Sequence, residues 1–580
     1  MQKLPSRRRL LPLLLPCLAV ALVFILVWLL IGLGSEDRRF QAFTEDLFAS
    51  EICSTTINLH YTLADPSSAG IEEYPITLGS FSREPEADGE DSLADIRDFL
   101  SGLDVSKLSR ENRLIFRLLE DDLSNREMLE DFDLIQEVLG PSLGVQAQLP
   151  VLLCEYTFRT KQDILDYLEL LKTLPSYFSQ ILLFEQEKSR AGYFMNDDAA
   201  EGVISQCSAF LEQQSPSLLE DVFRRKLSEF DGLSREEEEA CLALHTKLLE
   251  TCVYPAYQSL IDGLTALKGT GTNDGGLAGY PDGREYYRYL LRSQVGTADS
   301  PEEIRQRLLL QLQADSREMQ SILTENPSIL SGESREIRQE PEEILAFLQT
   351  RIRDDFPDLP VEDYEVKYVD ESLENYLSPA FYLTPPADTC SPNSIYINRA
   401  SGLEGIELFT TLAHEGFPGH LYQTVYFAST NPPLIRYLFE PGGYVEGWAT
   451  YIESYAYSYS GEDPAFSRLL WLNRSLNLCL YSLMDVGIHY DGWSLEDTSD
   501  FLAPFGITDP GTVSDIYQYI VETPANYLKY YYGYLSFLDI REAVKMQQGD
   551  SFDLKDFHRR LLELGPMPFY LLEEELGLAS

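Results

Sequence analysis

His414-Glu415-Gly416-Phe417-Pro418-Gly419-His420 decides how this chain is read, because it holds two of only six histidines. In the zinc-hydrolase pattern H-E-x-x-H, both imidazoles fall on one helix face with the glutamate between them as base. Here the second histidine comes six residues after the first, two more than that pattern allows. Six residues of undistorted helix turn through about 600° and rise about 9 Å, leaving the imidazoles roughly 120° apart and unable to share one ion. Pro418 forbids that regular helix. It has no N–H, its ring would collide with the carbonyl of His414, and Gly419 permits whatever dihedrals follow. The sequence therefore predicts a bulge or a break, and a bulge absorbing two residues returns His420 to the face of His414. The motif alone also admits a helix–turn–helix in which both histidines are ordinary polar residues.

Downstream, Glu446-Gly447-Trp448-Ala449-Thr450-Tyr451-Ile452-Glu453 reads as a helix opening just after the breaker Pro441-Gly442-Gly443. Two imidazoles need a carboxylate from a second helix to complete three protein ligands to zinc, with the fourth position left for water. Glu446 and Glu453 are seven residues apart on one face, about 10 Å along the axis, so only one can ligate. The other orients a ligand or touches substrate. Of the remaining histidines, His60 is expected to be structural, and His245, His489 and His558 to be packed or surface residues.

Working outward, the formal net charge of −49 repels phosphate at every approach and argues against a nucleic-acid partner. Its ordinary role is a solvated surface. From Leu10 to Gly34 no residue is charged, and a helix of that length reaches roughly 37 Å, enough to cross a bilayer. Lys3, Arg7, Arg8 and Arg9 precede this run and Glu36 and Asp37 follow it. The positive-inside bias then places 1–9 in the cytoplasm, a single-pass membrane anchor at 10–34, and 35–580 outside. A cleaved signal peptide is the alternative, although the run exceeds the roughly 7–15 residues of a usual signal core. Cys17, between Pro16 and a long apolar run, does not read as a lipidation site. The other seven cysteines form no CxxC pair and read as buried small hydrophobes, with at least one thiol unpaired in a monomer.

Most of the exterior part reads as helix. Thr160 caps a segment with Ile164, Leu165, Leu168 and Leu171 at helical spacing, expected to be interrupted at Pro175. Ser300-Pro301-Glu302-Glu303 combines an N-cap, a first-turn proline and a capping-box acid ahead of Ile304, Leu308 and Leu312. Turn chemistry concentrates at 271–283 and 384–393. Ser394-Ile395-Tyr396-Ile397-Asn398 has strand composition and is expected to form a sheet edge able to pair with an extended peptide. The 580 residues thus divide into an anchor and one large unit, mostly helical over 35–380 and carrying the metal site over 381–580. Nothing in the sequence reports the oligomeric state.

At this point the chain resembles the bacterial proteins grouped as the domain of unknown function numbered 885, which belong with the thermolysin-like gluzincin metallopeptidases. The resemblance rests on His414 to His420 with Gln423 after it, and on Tyr444-Val445-Glu446-Gly447-Trp448-Ala449. It extends to Pro281-Asp282-Gly283 with Tyr286 and Tyr287, to Thr523-Pro524-Ala525-Asn526 through Tyr530 and Gly533, and to Gly565-Pro566-Met567-Pro568. Glu446-Gly447-Trp448-Ala449 is also similar to the Glu-Gly-Phe-Ala segment of gluzincin aminopeptidases, whose glutamate is the third zinc ligand; that similarity favours Glu446 over Glu453. A one-residue expansion of the zinc motif in the dipeptidyl peptidase III family is a precedent in kind. The chain departs from the family at Ala525-Asn526, where Gly-Gln is common.

The resemblance implies a mainly α, zincin-like catalytic domain with a small β-sheet beside the active-site helix. It also implies a Zn2+ cofactor held by His414, His420 and Glu446. Glu415 is the expected general base and Tyr530 the expected oxyanion donor, while Tyr527, Tyr531 and Tyr534 on the same helix are equally well read as core. The expected function is a zinc-dependent metallohydrolase cleaving peptides outside the cytoplasm. The alternatives are a zinc hydrolase of another amide or ester, and a catalytically inactive cell-surface binding or scaffolding ectodomain.

Overall fold

The 31-residue helix α1 (Lys161–Ala191) begins where its capping box predicts, with Thr160 accepting from the Asp163 N–H and the Asp163 carboxylate accepting in return. Pro175 does not interrupt it, contrary to the sequence expectation. A proline in a helix interior costs about 3 kcal/mol. Ile164, Leu168, Leu171, Leu174, Phe178 and Ile181 are all buried around it, each worth about 1.5–3 kcal/mol. Pro175 itself sits on the exposed face, where water can satisfy the carbonyl left without a donor.

The computed structural model describes residues 34, 36–81, 93–212, 217–331, 340–359, 363–369, 374 and 377–578. Among these, no helix is long and apolar enough to cross a membrane; the anchor expected at 10–34 falls almost wholly outside the described residues.

Two large apolar cores, with a smaller third around Met484, Ile488 and Leu502, organise the described residues. α1 packs with the helices Val145–Glu155, Asp197–Glu212, Leu218–Glu229 and Tyr254–Leu267 around one of them. The other joins the helix over 36–53 and Arg110–Glu130 to the C-terminal half, so N-terminal segments wrap the region that carries the histidine motif. Five helices build that region: α2 (Pro301–Glu325), α3 (Gly405–Glu415), α4 (His420–Ser429), α5 (Gly442–Tyr459) and α6 (Pro464–Val486). A sixth, α7 (Asn526–Gln548), lies against α5 along most of its length. Their backbones touch: a Cβ on Gly447 would stand 2.5 Å from the carbonyl carbon of Gly533, and one on Gly533 would stand 2.2 Å from the Gly443 oxygen.

A three-stranded sheet covers one end of α3. Its strands are β1 (Glu365–Tyr368), β2 (Ala380–Leu383) and β3 (Ser394–Ile397), in the order β1-β3-β2. β3 runs parallel to β1 and antiparallel to β2, with Tyr382 opposite Ile395. This corrects the expectation that Ser394–Asn398 forms an edge. Ser394, Ile395 and Ile397 are all buried, and a strand so enclosed is paired on both sides. β2 is the edge that borders the histidine motif.

Candidate metal centre

α3 ends at Glu415 and α4 begins at His420, so the motif breaks the helix instead of bulging it. Gly419 makes the break possible, since a Cβ there would lie 1.7 Å from the carbonyl oxygen of His414. Trp448 of α5 donates its indole N–H to the carbonyl of Pro418 at 2.9 Å, tying the break to the neighbouring helix. The second histidine is thereby set at the first position of a new helix.

His414 Nε2 and His420 Nε2 come to 3.1 Å, and both face Glu446 Oε2, at 3.6 and 3.5 Å. All three atoms lie within 4.8 Å of one another. Donors about 2.0–2.1 Å from one tetrahedral ion stand roughly 3.3 Å apart, so the spacing fits a single zinc. Glu446 Oε2 is buried without a hydrogen-bond partner, as expected of an atom whose partner is a cation. The donor set of two imidazoles and a carboxylate suits zinc.

Glu453, two turns along α5 from Glu446, takes the orienting role. Its Oε1 accepts from His414 Nδ1 at 2.8 Å, which leaves Nε2 as the free nitrogen. Arg474 of α6 donates to the same carboxylate at 3.0 Å. Burial works against the charge of Glu453, but Arg474 and His414 outweigh it and hold its pKa at about 2. Burial likewise opposes charge on His414, yet Glu446 and Glu453 raise its pKa to about 10. Glu446 is held well below the usual carboxylate range by the two histidines despite its burial. This is a site of concentrated negative charge that demands a proton or a metal cation on its nitrogens.

Glu415 Oε2 accepts the backbone N–H of Tyr382 from the outer edge of β2 at 2.9 Å, and burial pushes its carboxyl upward. Tyr530 on α7 lays its ring over His414, with centroids 6.3 Å apart and planes at 20°. Burial, and then Glu446 and Glu415, raise its hydroxyl far above the ordinary phenol value, so it is a donor. Tyr531 and Tyr534 are core residues, and Tyr527 stacks on Tyr481.

The other four histidines are packed. His60 lies on Tyr156 at 3.5 Å, His245 on Phe223 at 4.1 Å, and His558 on Phe356 at 4.2 Å, while His489 is held by the Leu277 N–H and the Ile520 carbonyl. The seven cysteines of the described residues are all free thiols. Sequence reasoning did not find Arg474 or the Tyr382 N–H. No local pattern marks a residue that acts from another helix or a main-chain group that acts from a strand edge.

A mainly helical fold, with a small mixed sheet set against a helix that contributes two histidines to a His–His–Glu cluster, defines the class of protein. The chain belongs to the family described as "Bacterial protein of unknown function (DUF885)", which matches residues 66–576. It is similar in structure to a protein of Colwellia psychrerythraea described as a "putative lipoprotein", with a TM-score of 0.81 at 20% identity over 93% of this chain and 99% of that one. A second likeness is to a "putative lipoprotein of unknown function" from Shewanella oneidensis, with a TM-score of 0.60 at 17% identity over 83% and 91%. Identities this low show the fold alone. No curated protein matches the chain.

Proposed function

We propose that this chain is a zinc-dependent metallohydrolase of the gluzincin type, a peptidase that acts outside the cytoplasm. The observation that carries the reading is the convergence of His414 Nε2, His420 Nε2 and the unpartnered Glu446 Oε2, with Glu415 beside them in sequence and space. Zinc held there would acidify a water from a pKa of about 15.7 towards 7 and polarise a scissile carbonyl.

The chain's own residues do the rest. Glu415, fixed at Oε2 by the Tyr382 N–H, takes the proton from the attacking water and returns it to the leaving amine. Tyr530 donates its hydroxyl to the oxygen of the carbonyl as charge develops there. The Arg474–Glu453–His414 chain keeps the imidazole in one tautomer and one orientation. Trp448 ties α5, which carries Glu446, to the break between the two histidines, and the Gly447–Gly533 contact sets α5 against the helix that carries Tyr530.

The anchor at 10–34, with everything after it outside, belongs to the same proposal, and the description of two similar structures as putative lipoproteins supports attachment to a membrane. Protease added to intact cells should reach the catalytic part and spare an N-terminal tag. Recovery only as a soluble form beginning near residue 35 would replace the anchor by a cleaved signal.

The decisive experiment combines metal analysis of the purified protein with cleavage mapping on a mixed peptide library, for the native chain and Glu415→Gln. The expected result is about one zinc in both and a loss of turnover of about 10²–10⁴ in the variant. Glutamine keeps an oxygen for the Tyr382 N–H but cannot accept the proton. Full turnover by the zinc-loaded variant would move the chemistry elsewhere. Absence of zinc and of cleavage would favour the binding-ectodomain reading.

A further inference from the structure

A cavity of about 230 Å³ opens directly beside the cluster, with His420 and Glu446 in its wall. The rest of the wall comes from β2 and the segment after it, from α4, from Tyr437, Glu440 and Val445 around the start of α5, and from Pro566. Any group bound in it is therefore carried next to the reacting bond of a substrate. Its volume suits one side chain.

The charges of the cavity are one-sided. Among the described residues that line it there is no lysine or arginine, whereas Glu440 opens onto it as a solvent-exposed carboxylate. No charged neighbour among the described residues acts on the Glu440 carboxyl. Arg436, four residues earlier, is not part of the wall and is engaged with the carbonyls of Leu564 and Pro566. Glu446 is committed to the cluster. Glu440 is thus a carboxyl that faces the cavity with no counter-cation among the described residues, and a cation bound there would hold it in its ionised form.

A second observation points to a ligand independently. Gln423 lines the same cavity, is only 4% exposed, and its Nε2 has no hydrogen-bond partner. A buried donor left unmade costs about 1–3 kcal/mol, and such groups in native structures find their partner in a ligand or water. The same wall carries apolar surface from Pro385, Val425, Phe427 and Val445 beside the hydroxyls of Thr384 and Thr424. A wall that offers apolar surface together with a carboxylate fits a methylene stem with a cationic head.

Resting on the peptidase reading for the identity of the occupant, we propose that this cavity is a specificity pocket for an organic cation on the substrate. Glu440 pairs with the cation and Gln423 donates to the adjoining carbonyl. The cation is a lysine or arginine side chain, or a free α-amino group, which share this chemistry.

Three probes separate the sources: Nα-acetyl-lysine amide, Nα-acetyl-norleucine amide, and norleucine amide with its α-amine free. Their binding to zinc-loaded full-length protein is measured by calorimetric or NMR titration, for the native chain, Glu440→Gln and Glu440→Lys. Native protein should bind a cationic probe at least tenfold tighter than acetyl-norleucine amide; Glu440→Gln should remove that preference and leave the neutral probe unchanged. Glu440→Lys should reject both cations. Preference for acetyl-lysine amide assigns the side chain, and preference for free norleucine amide assigns the α-amine. Equal binding of neutral and cationic probes, or a Glu440→Gln effect equal on both, overturns the pocket. Cleavage of library peptides without regard to charge overturns it while the peptidase reading stands. Cation-selective binding with no cleavage keeps the pocket and overturns the peptidase.

Discussion

Replacing Gly447 by alanine should part α5 from α7 and pull the metal cluster open. The new Cβ would lie 2.5 Å from the carbonyl carbon and 2.6 Å from the Cα of Gly533, against the 3.4 Å at which ordinary contact begins. Both obstacles are backbone, so no side-chain rotation relieves them, and the helices must separate by about 0.9 Å. Overpacking of this kind costs about 1–3 kcal/mol in stability. The larger effect falls on the site. Glu446 immediately precedes Gly447, and Tyr530 stands one turn before Gly533, so the separation carries the carboxylate and the hydroxyl off target. Ligand distances tolerate only about 0.2 Å. Zinc affinity should therefore fall at least tenfold, and turnover about 10²-fold. The assay is competition for zinc against a chromophoric chelator, run beside urea unfolding and circular dichroism. Gly140→Ala is the control, because nothing lies within 4 Å of a Cβ there. Native zinc affinity and native stability in Gly447→Ala would refute the claim that this crossing positions the site.

Glu446→Ala should abolish tight zinc binding, whereas Glu453→Gln, which keeps an acceptor for His414 but loses the charge facing Arg474, should weaken it about 10–100-fold. Zinc retained by Glu446→Ala and lost by Glu453→Ala would reverse the two roles. Tyr530→Phe should lower turnover about 10²–10³-fold at unchanged zinc content; a matching loss of zinc would show that the ring serves the metal site structurally. Asp485 gives a pH test away from the cluster. Burial holds its carboxyl at about 7, so the folded chain keeps a proton that the unfolded chain releases above about 4. Its contribution to stability is present below pH 4 and lost as pH rises through 7. Asparagine cannot ionise and still accepts from Tyr287 and the Ala525 N–H, so the advantage of Asp485→Asn over the native chain should grow by about 3 kcal/mol from pH 5 to pH 8 in urea unfolding. An equal advantage at both values would show that this carboxyl does not titrate there.

What the sequence determined by itself is local. The capping boxes at Thr160 and Ser300 and the break at Pro418-Gly419 follow from a few neighbouring residues, because hydrogen-bond caps and backbone sterics act within a turn. Pro175 was misread for the same reason: the penalty it carries is local, while the burial that overrides it comes from helices far along the chain. The candidate ligands were legible as residue types at a spacing, while the preference for Glu446 over Glu453 rested on a resemblance and not on the spacing. Tertiary packing sets their separate roles, by laying α5 against α3 and α6 and tying Trp448 to the Pro418 carbonyl, so that one carboxylate meets two imidazoles and the other backs His414 against Arg474. The central position of β3, the hold of the Tyr382 N–H on Glu415, and the cavity shared by Gln423, Glu440 and the cluster were likewise out of reach of the sequence. Each depends on which distant segments share a surface, and hydrophobic burial sets that choice over the whole chain at once.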